Sequence, residues 1–109
     1  MISEQDIQRC VDFLRDSAPQ IAEARAELVR SEHMKKATRA LAMKASGENS
    51  VAAQEREALA SDQYKQAVDA EFEAVKRYET LRAQREAAIA KIDAWRTSSA
   101  NLRGVDRLG

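Results

Sequence analysis

Apolar residues recur at seven-residue steps along the first third of the chain. The series consists of Ile7, Leu14, Ile21 and Leu28, with Val11 and Ala18 predicted on the same face. Seven residues make about two helical turns, so this pattern predicts a long helix that packs against another helix. Ser3 and Asp6 precede the series with the spacing of a helix-capping pair. We therefore expect a first helix over about residues 4–45.

One proline lies inside this helix. Pro19 lacks the backbone donor that an uninterrupted helix needs at that position. Ser17 and Gln20 have the spacing of a second capping box, which would restart the helix. Because the apolar series keeps its phase across the proline, we expect a kink or short break near Pro19 rather than a domain boundary.

The strongest loop signal lies at the middle of the chain, in the sequence SGENS at residues 46–50. Gly47 suits the left-handed conformation that follows a helix end. A loop and a short helix are predicted over 46–60. Ser61 and Asp62 then form the start of a second long helix over about 62–101. Gly104 is predicted to end the ordered part, which leaves a loose tail over 104–109.

The second long helix has an apolar face composed largely of alanine. Its seven-residue series is Ala67, Ala74, Leu81, Ala88 and Trp95. The sequence therefore predicts an all-α fold, namely one helical domain over 1–109 that forms a long antiparallel, coiled-coil-like hairpin. A lone hairpin would leave apolar area exposed at a cost of about 25 cal/mol per Å², so we expect a homo-oligomer. Its predicted interface is formed by Leu81, Ala88 and Ile92.

Composition argues against sheet folds, disulfide-stabilised proteins and membrane-spanning proteins. Of 109 residues, 44% are hydrophobic, and only three are glycine and one proline, which are too few to supply the turns of a multi-stranded sheet. The single Cys10 excludes an internal disulfide. No apolar run approaches the roughly 18 residues that a membrane span needs, so we expect a cytoplasmic protein without a membrane partner.

The charges balance at 18 basic and 18 acidic residues, but they are segregated along the chain. Basic residues dominate 35–46 and 76–109, and acidic residues dominate 1–34 and 47–75. In an antiparallel hairpin the opposite blocks would lie side by side and neutralise each other. The alternative is a groove that binds a polyanion. The candidate phosphate contacts are Lys35, Lys36, Arg39, Arg82, Arg85, Lys91, Arg96 and Arg103.

Residues suited to catalysis are few. His33 is the only histidine, so neither a histidine metal site nor an H-E-x-x-H motif can form. Cys10 has no nearby base in the sequence and is predicted to be a small core residue. Neither an enzyme nor a cofactor is expected. Trp95 and Tyr78 are each interpreted either as core anchors or as platforms on which bases stack.

Two stretches resemble small helical proteins encoded by tailed bacteriophages. They are VAAQEREALAS at 51–61 and the region from Leu81 that ends in WRTSSAN at 95–101. Such proteins often accompany genes of recombination and single-strand annealing. The order of long helix, acidic loop, long helix and late aromatic residue is also similar in helix pattern to the UvsY family of phage recombination mediators.

The resemblance implies an accessory factor of DNA recombination or replication in the host-cell cytoplasm. Such a factor would be a non-enzymatic oligomeric scaffold with three kinds of partner: other copies of itself, single-stranded DNA, and a recombinase or single-strand-binding protein. The alternative is a protein-interaction module that binds no nucleic acid, such as an inhibitor of a host defence or transcription protein.

Overall fold

A computed structural model describes residues 2–108 of the chain, with side chains described through residue 105. It contains three helices, which are α1 (Glu4–Ala45), α2 (Val51–Ala60) and α3 (Asp62–Leu108). No strand occurs within these residues. The prediction of an all-α helical hairpin is confirmed.

Short-range capping sets where α1 begins and ends. The Ser3 amide donates to Asp6 Oδ2 at 3.0 Å, and the Asp6 amide donates to Ser3 Oγ at 3.1 Å. This reciprocal pair satisfies two amides at the helix start. After Ala45 the chain turns at Gly47, whose φ of 74° is costly for residues with a Cβ atom.

Serines begin the other two helices. Ser50 Oγ accepts from the Ala53 amide at 3.1 Å, and Ser61 Oγ accepts from the Tyr64 amide at 3.2 Å. The loose tail predicted for 104–109 is wrong for its described part, because α3 continues to Leu108. Glycine within a helix costs only about 1 kcal/mol, so Gly104 need not end it. Gly109 lies outside the described residues.

Although the sequence predicts one domain, contacts group the chain into two compact units. We call the residues up to Ile21, together with those from Thr80 onward, the terminal unit. Ala22–Glu79 form the loop unit. Each unit pairs a segment of α1 with a segment of α3.

In the terminal unit the two helix segments run antiparallel. Arg85 bonds to Leu14 and Ser17, whereas Lys91, further along α3, lines the same cavity as Cys10, earlier in α1. The inward α1 positions alternate steps of three and four residues: Ile7, Cys10, Leu14, Ser17 and Ile21. Placing Val11 and Ala18 on this face was wrong, since both are exposed. The inward positions Cys10 and Ser17 are occupied by small residues, so a pattern of larger apolar residues does not indicate them.

Of the kink or short break predicted at Pro19, the break is absent, because α1 is continuous from Glu4 to Ala45. Pro19 removes one helical hydrogen bond to the Arg15 carbonyl, but both residues are exposed, so water can satisfy that carbonyl. Ser17 does not cap a new helix. Instead it is 1% exposed, and its hydroxyl accepts a hydrogen bond from Arg85.

The loop unit is also antiparallel between α1 and α3. Arg25 contacts Tyr78, and Lys35, further along α1, pairs with Glu71, earlier in α3. Helix α2 packs through Ala58, which is fully buried. An ion pair between Arg39 of α1 and Glu55 of α2 joins these helices.

The core of both units is composed of small side chains. The buried residues among those described are Ala24, Ala58, Ala74, Ala88, Ser17 and Ser31. Small residues allow two helices to approach closely, but they bury little apolar area. Many larger apolar side chains are consequently left on the surface.

Candidate interaction surfaces

Two predicted phosphate contacts in the loop unit are paired within the chain. Lys35 Nζ lies 2.9 Å from Glu71 Oε2, and this hydrogen bond raises the pKa of Lys35 above its ordinary value. Arg39 Nη2 donates to Glu55 Oε1. Both cations therefore hold the helices of the loop unit together, and binding a phosphate would compete with these contacts.

A third predicted contact, Arg85, is likewise engaged within the chain. From α3 its Nη1 atom donates to the Leu14 carbonyl and to Ser17 Oγ, each at 2.7 Å. Because Ser17 is buried, water cannot donate to its hydroxyl, and the Arg85 guanidinium supplies a donor instead. Arg85 thus joins α1 to α3 in the terminal unit. Sequence reasoning missed its acceptor, although a serine in the inward heptad row is the signal that could have indicated it.

The other five candidates are exposed. Arg82 Nε donates to Glu86 on the next turn of α3 at 3.2 Å. Lys36, Lys91, Arg96 and Arg103 form no ion pair among the described side chains. Arg96 and Arg103 are seven residues apart on one face of α3, whereas Lys36 lies in the loop unit.

Net charge does not favour a polyanion surface in either unit. In the loop unit, residues 22–79 contain eleven acids and ten bases. The described side chains of the terminal unit contain six acids and seven bases. Near-neutral units attract a nucleic-acid backbone weakly, because such binding depends on accumulated positive charge.

The two candidate stacking residues differ in their surroundings. Tyr78 is covered by Arg25, whose Nη1 donates to the phenol oxygen at 3.3 Å and whose guanidinium carbon lies 5.8 Å from the ring centroid. Such a cation–π contact covers one face of the ring. It favours the interpretation of Tyr78 as a packing residue, and the stacking alternative stays a prediction.

Trp95 is half-buried and lines two open cavities of the terminal unit. One, of about 400 Å³, is lined by Arg96, Ser99, Leu102 and Arg103 in addition to the indole. The other, of about 700 Å³, also includes Ile2 and Glu4. Trp95 is thus partly packed and partly accessible, so both of its predicted roles stay predictions.

The predicted oligomer interface lies largely within the chain itself. Ala88 is 8% exposed, and Leu81 and Ile92 are half-buried in the same inward rows of α3. Segments of α1 in the same chain account for part of this burial, and the assignment of the three residues to a contact between copies stays a prediction. Homo-oligomerisation itself stays a prediction.

The exposed large apolar residues lie on other faces. In the loop unit they are Val29, Met34, Leu41, Val51, Leu59, Phe72 and Val75. In the terminal unit they are Val11, Ile89, Leu102 and Val105. Phe72 is 64% exposed and Leu41 67%. Side chains of this size on the surface of a helical pair are typical of protein–protein contacts.

The described residues contain no group of three side chains suited to holding a metal ion. His33 is exposed, and Cys10 is half-buried beside Arg9 and Phe13. None of the helices in the described part of the chain has a segment apolar enough to cross a bilayer.

The sequence matches no family model, no curated protein and no solved structure. Its function is therefore inferred from the contacts and exposed surfaces of the chain itself.

Proposed function

We propose that the protein is a non-enzymatic helical scaffold that acts through protein–protein contacts. Its interaction surface is supplied by the exposed apolar residues of the hairpin. The observation that supports this proposal is a difference between basic and apolar side chains. Lys35, Arg39 and Arg85 form hydrogen bonds or ion pairs within the chain, whereas Phe72 and Leu41 are more than half exposed.

Helix packing explains why such a scaffold would need a partner. Its buried side chains are alanine and serine, and these contribute less to stability than buried leucine or phenylalanine would. A partner that covers the exposed valines and Phe72 would stabilise the folded chain by mass action. The resemblance to phage proteins suggests a recombinase, a single-strand-binding protein or a host protein as that partner.

Affinity capture of the full chain from the cells that produce it, with and without nuclease treatment, tests this proposal. We expect the same partner to be retained after nuclease digestion, because apolar contacts do not require nucleic acid. Loss of every partner on nuclease treatment would contradict the proposal and favour a nucleic-acid function.

A second candidate is an accessory factor of DNA recombination or replication that binds single-stranded DNA. The accessible part of Trp95 beside Arg96 and Arg103 favours it, because base stacking on aromatic side chains together with nearby cations is how single strands are bound without sequence preference. This candidate depends on the terminal unit alone.

Fluorescence anisotropy with a long single-stranded oligonucleotide tests this second candidate. If DNA binds at this end, the double variant Arg96→Ala, Arg103→Ala should weaken binding, and affinity should fall with salt with a log–log slope of about −0.7 per phosphate contact. Arg82→Ala is the matched control, since Arg82 is exposed on the same helix but pairs with Glu86. No binding at about 50 mM salt would eliminate this candidate.

A further inference from the structure

One row of side chains on α3 continues past the start of α1. Alternating steps of three and four residues define this row, which contains Arg85, Ala88, Ile92, Trp95, Ser99 and Leu102. Near its start Arg85 bonds to α1 and Ala88 is buried. Trp95 lines a cavity together with Glu4, the first residue of α1. Leu102 lies about 10 Å further along α3 and is 64% exposed, so no helix among the described residues packs on the end of the row. We call Trp95, Ser99 and Leu102 the terminal row.

Two open cavities flank the terminal row. The larger, of about 700 Å³, extends to Ile2 and Glu4 at the beginning of the chain. The smaller, of about 400 Å³, is lined by Arg96 and Arg103 in addition to the row. Each arginine directly follows a residue of the row, whereas Ser98 of the larger cavity directly precedes one. Since one residue is a rotation of about 100° around a helix, the cavities lie on opposite sides of the row.

The side of the row that faces the smaller cavity is positively charged. Its two arginines are the only charged residues among the described ones that line this cavity, and neither forms an ion pair with a described side chain. Asp93 lies one turn before Arg96 but does not line the cavity, and Glu4 lines only the larger one. Further along the sequence, Asp106 and Arg107 cancel in charge. An apolar surface therefore lies beside two unpaired cations.

We propose that the terminal row binds an amphipathic helix of another protein, whose apolar stripe is flanked by acidic residues. Continuity supports a helix as the occupant, because α1 packs on the start of the same row of α3. Charge supports acidic residues, because carboxylates seven residues apart on a helix that packs along α3 have the spacing of Arg96 and Arg103. The ion pair of Lys35 with Glu71 joins α1 and α3 in the same manner.

A single-stranded nucleic acid fits the terminal row less well than an acidic helix. Affinity for a phosphate backbone grows with the number of phosphates neutralised, and single-strand sites extend over about 4–16 nucleotides per OB-fold domain. The smaller cavity has only two cations among its described lining residues. Leu102 adds an aliphatic surface, which packs against an apolar side chain but does not stack on a base as an aromatic ring does.

This contact goes beyond the proposed function. The terminal row belongs to the terminal unit, whereas Phe72 and Leu41 belong to the loop unit. The acidic helix is a second ligand, in addition to the partner that Phe72 and Leu41 bind. The scaffold then has a separate binding surface in each unit.

Fluorescence of Trp95 tests the inference, because Trp95 is the only tryptophan of the chain. The probe is a stapled, tryptophan-free helical peptide of about two heptads, with leucine at positions a and d and glutamate beside them. Binding covers the indole, so we expect the emission of the full chain to shift to shorter wavelength. The shift should saturate with a dissociation constant of about 10 µM to 1 mM, since the contact is smaller than a standard interface. The same peptide with lysine for glutamate should bind at least about fivefold more weakly.

Two sets of variants test the row and its arginines separately. Leu102→Ser should raise the dissociation constant of the glutamate peptide at least about fivefold by removing apolar area. Met34→Ser is its matched control, because Met34 is also more than half exposed but lies in the loop unit. Circular dichroism verifies that helix content is unchanged, as expected for exposed positions.

The double variant Arg96→Gln, Arg103→Gln should remove the preference for the glutamate peptide over the lysine peptide. Its control is Arg56→Gln, Arg77→Gln, which makes the same change of net charge at exposed positions of the loop unit. The control should keep the preference, because its arginines lie outside the terminal row.

Three outcomes would overturn the inference. They are an unchanged emission up to about 1 mM peptide, equal binding of the glutamate and lysine peptides, and an equal effect of Leu102→Ser and Met34→Ser. Tighter binding of oligothymidine than of the glutamate peptide at the same salt concentration would also overturn it and would assign the row to nucleic acid. Peptide binding without any nuclease-resistant partner would leave the inference intact and contradict the proposed function. A captured partner without peptide binding would do the reverse.

Discussion

The bond between Arg85 and the buried Ser17 predicts a large difference between two arginines on the same helix. In Arg85→Ala the Ser17 hydroxyl, which is 1% exposed, loses its donor from α3, and the Leu14 carbonyl keeps only the donor of its own helix. Hydrogen bonds to a charged group contribute about 1.5–3 kcal/mol each, and Ser17 can recover part of this by bonding to its own helix. We therefore expect the free energy of unfolding to fall by about 2–4 kcal/mol.

Arg82→Ala is the control for this prediction. Arg82 is exposed and pairs with Glu86 one turn along α3, and surface pairs of this kind contribute about 0.3–0.5 kcal/mol. Urea unfolding followed by circular dichroism at 222 nm measures both variants. If Arg85→Ala and Arg82→Ala differ by less than about 0.5 kcal/mol, Arg85 does not stabilise the α1–α3 contact.

A double-mutant cycle separates the bond from the rest of the arginine side chain. Ser17→Ala removes one acceptor, so the combined variant should be less destabilised than the sum of the two single variants. We expect a coupling free energy of about 0.5–1.5 kcal/mol, as for other residues in direct contact. Additive effects would show that Ser17 and Arg85 do not interact in solution.

Three further predictions concern local features of the helices. Pro19→Ala should raise the free energy of unfolding by about 1–3 kcal/mol, because it restores the donor to the Arg15 carbonyl inside a continuous helix; unchanged urea unfolding would contradict this. Ser50→Ala should accelerate amide exchange at Ala53 about fivefold by removing a cap that contributes about 1 kcal/mol, while Ser98→Ala, at an exposed position within α3, should not. Hydrogen bonds from Ser3 lower the pKa of Asp6 below its ordinary value of 3.8, so Asp6 contributes stability above that pH and loses it as the pH falls through the lowered pKa. Ser3→Ala keeps the amide that makes the larger contribution and removes only the hydroxyl, so it should raise the pKa of Asp6 part of the way in a carboxyl-carbon NMR titration, and an unshifted titration would show that the hydroxyl does not contribute.

Local signals in the sequence were sufficient for the fold. Heptad spacing indicated long paired helices, and Ser3, Gly47 and Ser61 indicated where helices start or end. Each of these signals depends on residues within about two turns of each other, so they can be recognised from the order of residues along the chain.

The contacts of charged side chains could not be predicted from the sequence in the same way. Lys35 and Arg85 occupy heptad positions that face the other helix, but a basic residue in a sequence is ordinarily interpreted as solvent-exposed. Whether it is paired depends on the residue that the antiparallel register places opposite, here Glu71 or Ser17. Register was not available from the sequence, so it did not show that three of the eight proposed phosphate contacts bind another helix of the chain; a fourth, Arg82, pairs with Glu86 on its own helix.

The apolar face of α1 was misassigned for a related reason. A row of serine and alanine gives little hydrophobic signal, so the inward face of α1 was placed one residue too far, at Val11 and Ala18. In α3 the apolar face was found, and α1 of the same chain accounts for part of its burial. Periodicity identifies a buried face without identifying what buries it.

The central claim is that the protein binds its partner through exposed apolar residues rather than through cations. Nuclease-treated affinity capture with two full-length variants tests it most directly. One variant replaces Phe72 and Leu41 by serine, and the other replaces Lys36, Lys91, Arg96 and Arg103 by alanine. We expect the serine variant to lose the partner and the alanine variant to retain it. Retention by the serine variant together with loss by the alanine variant would contradict the claim.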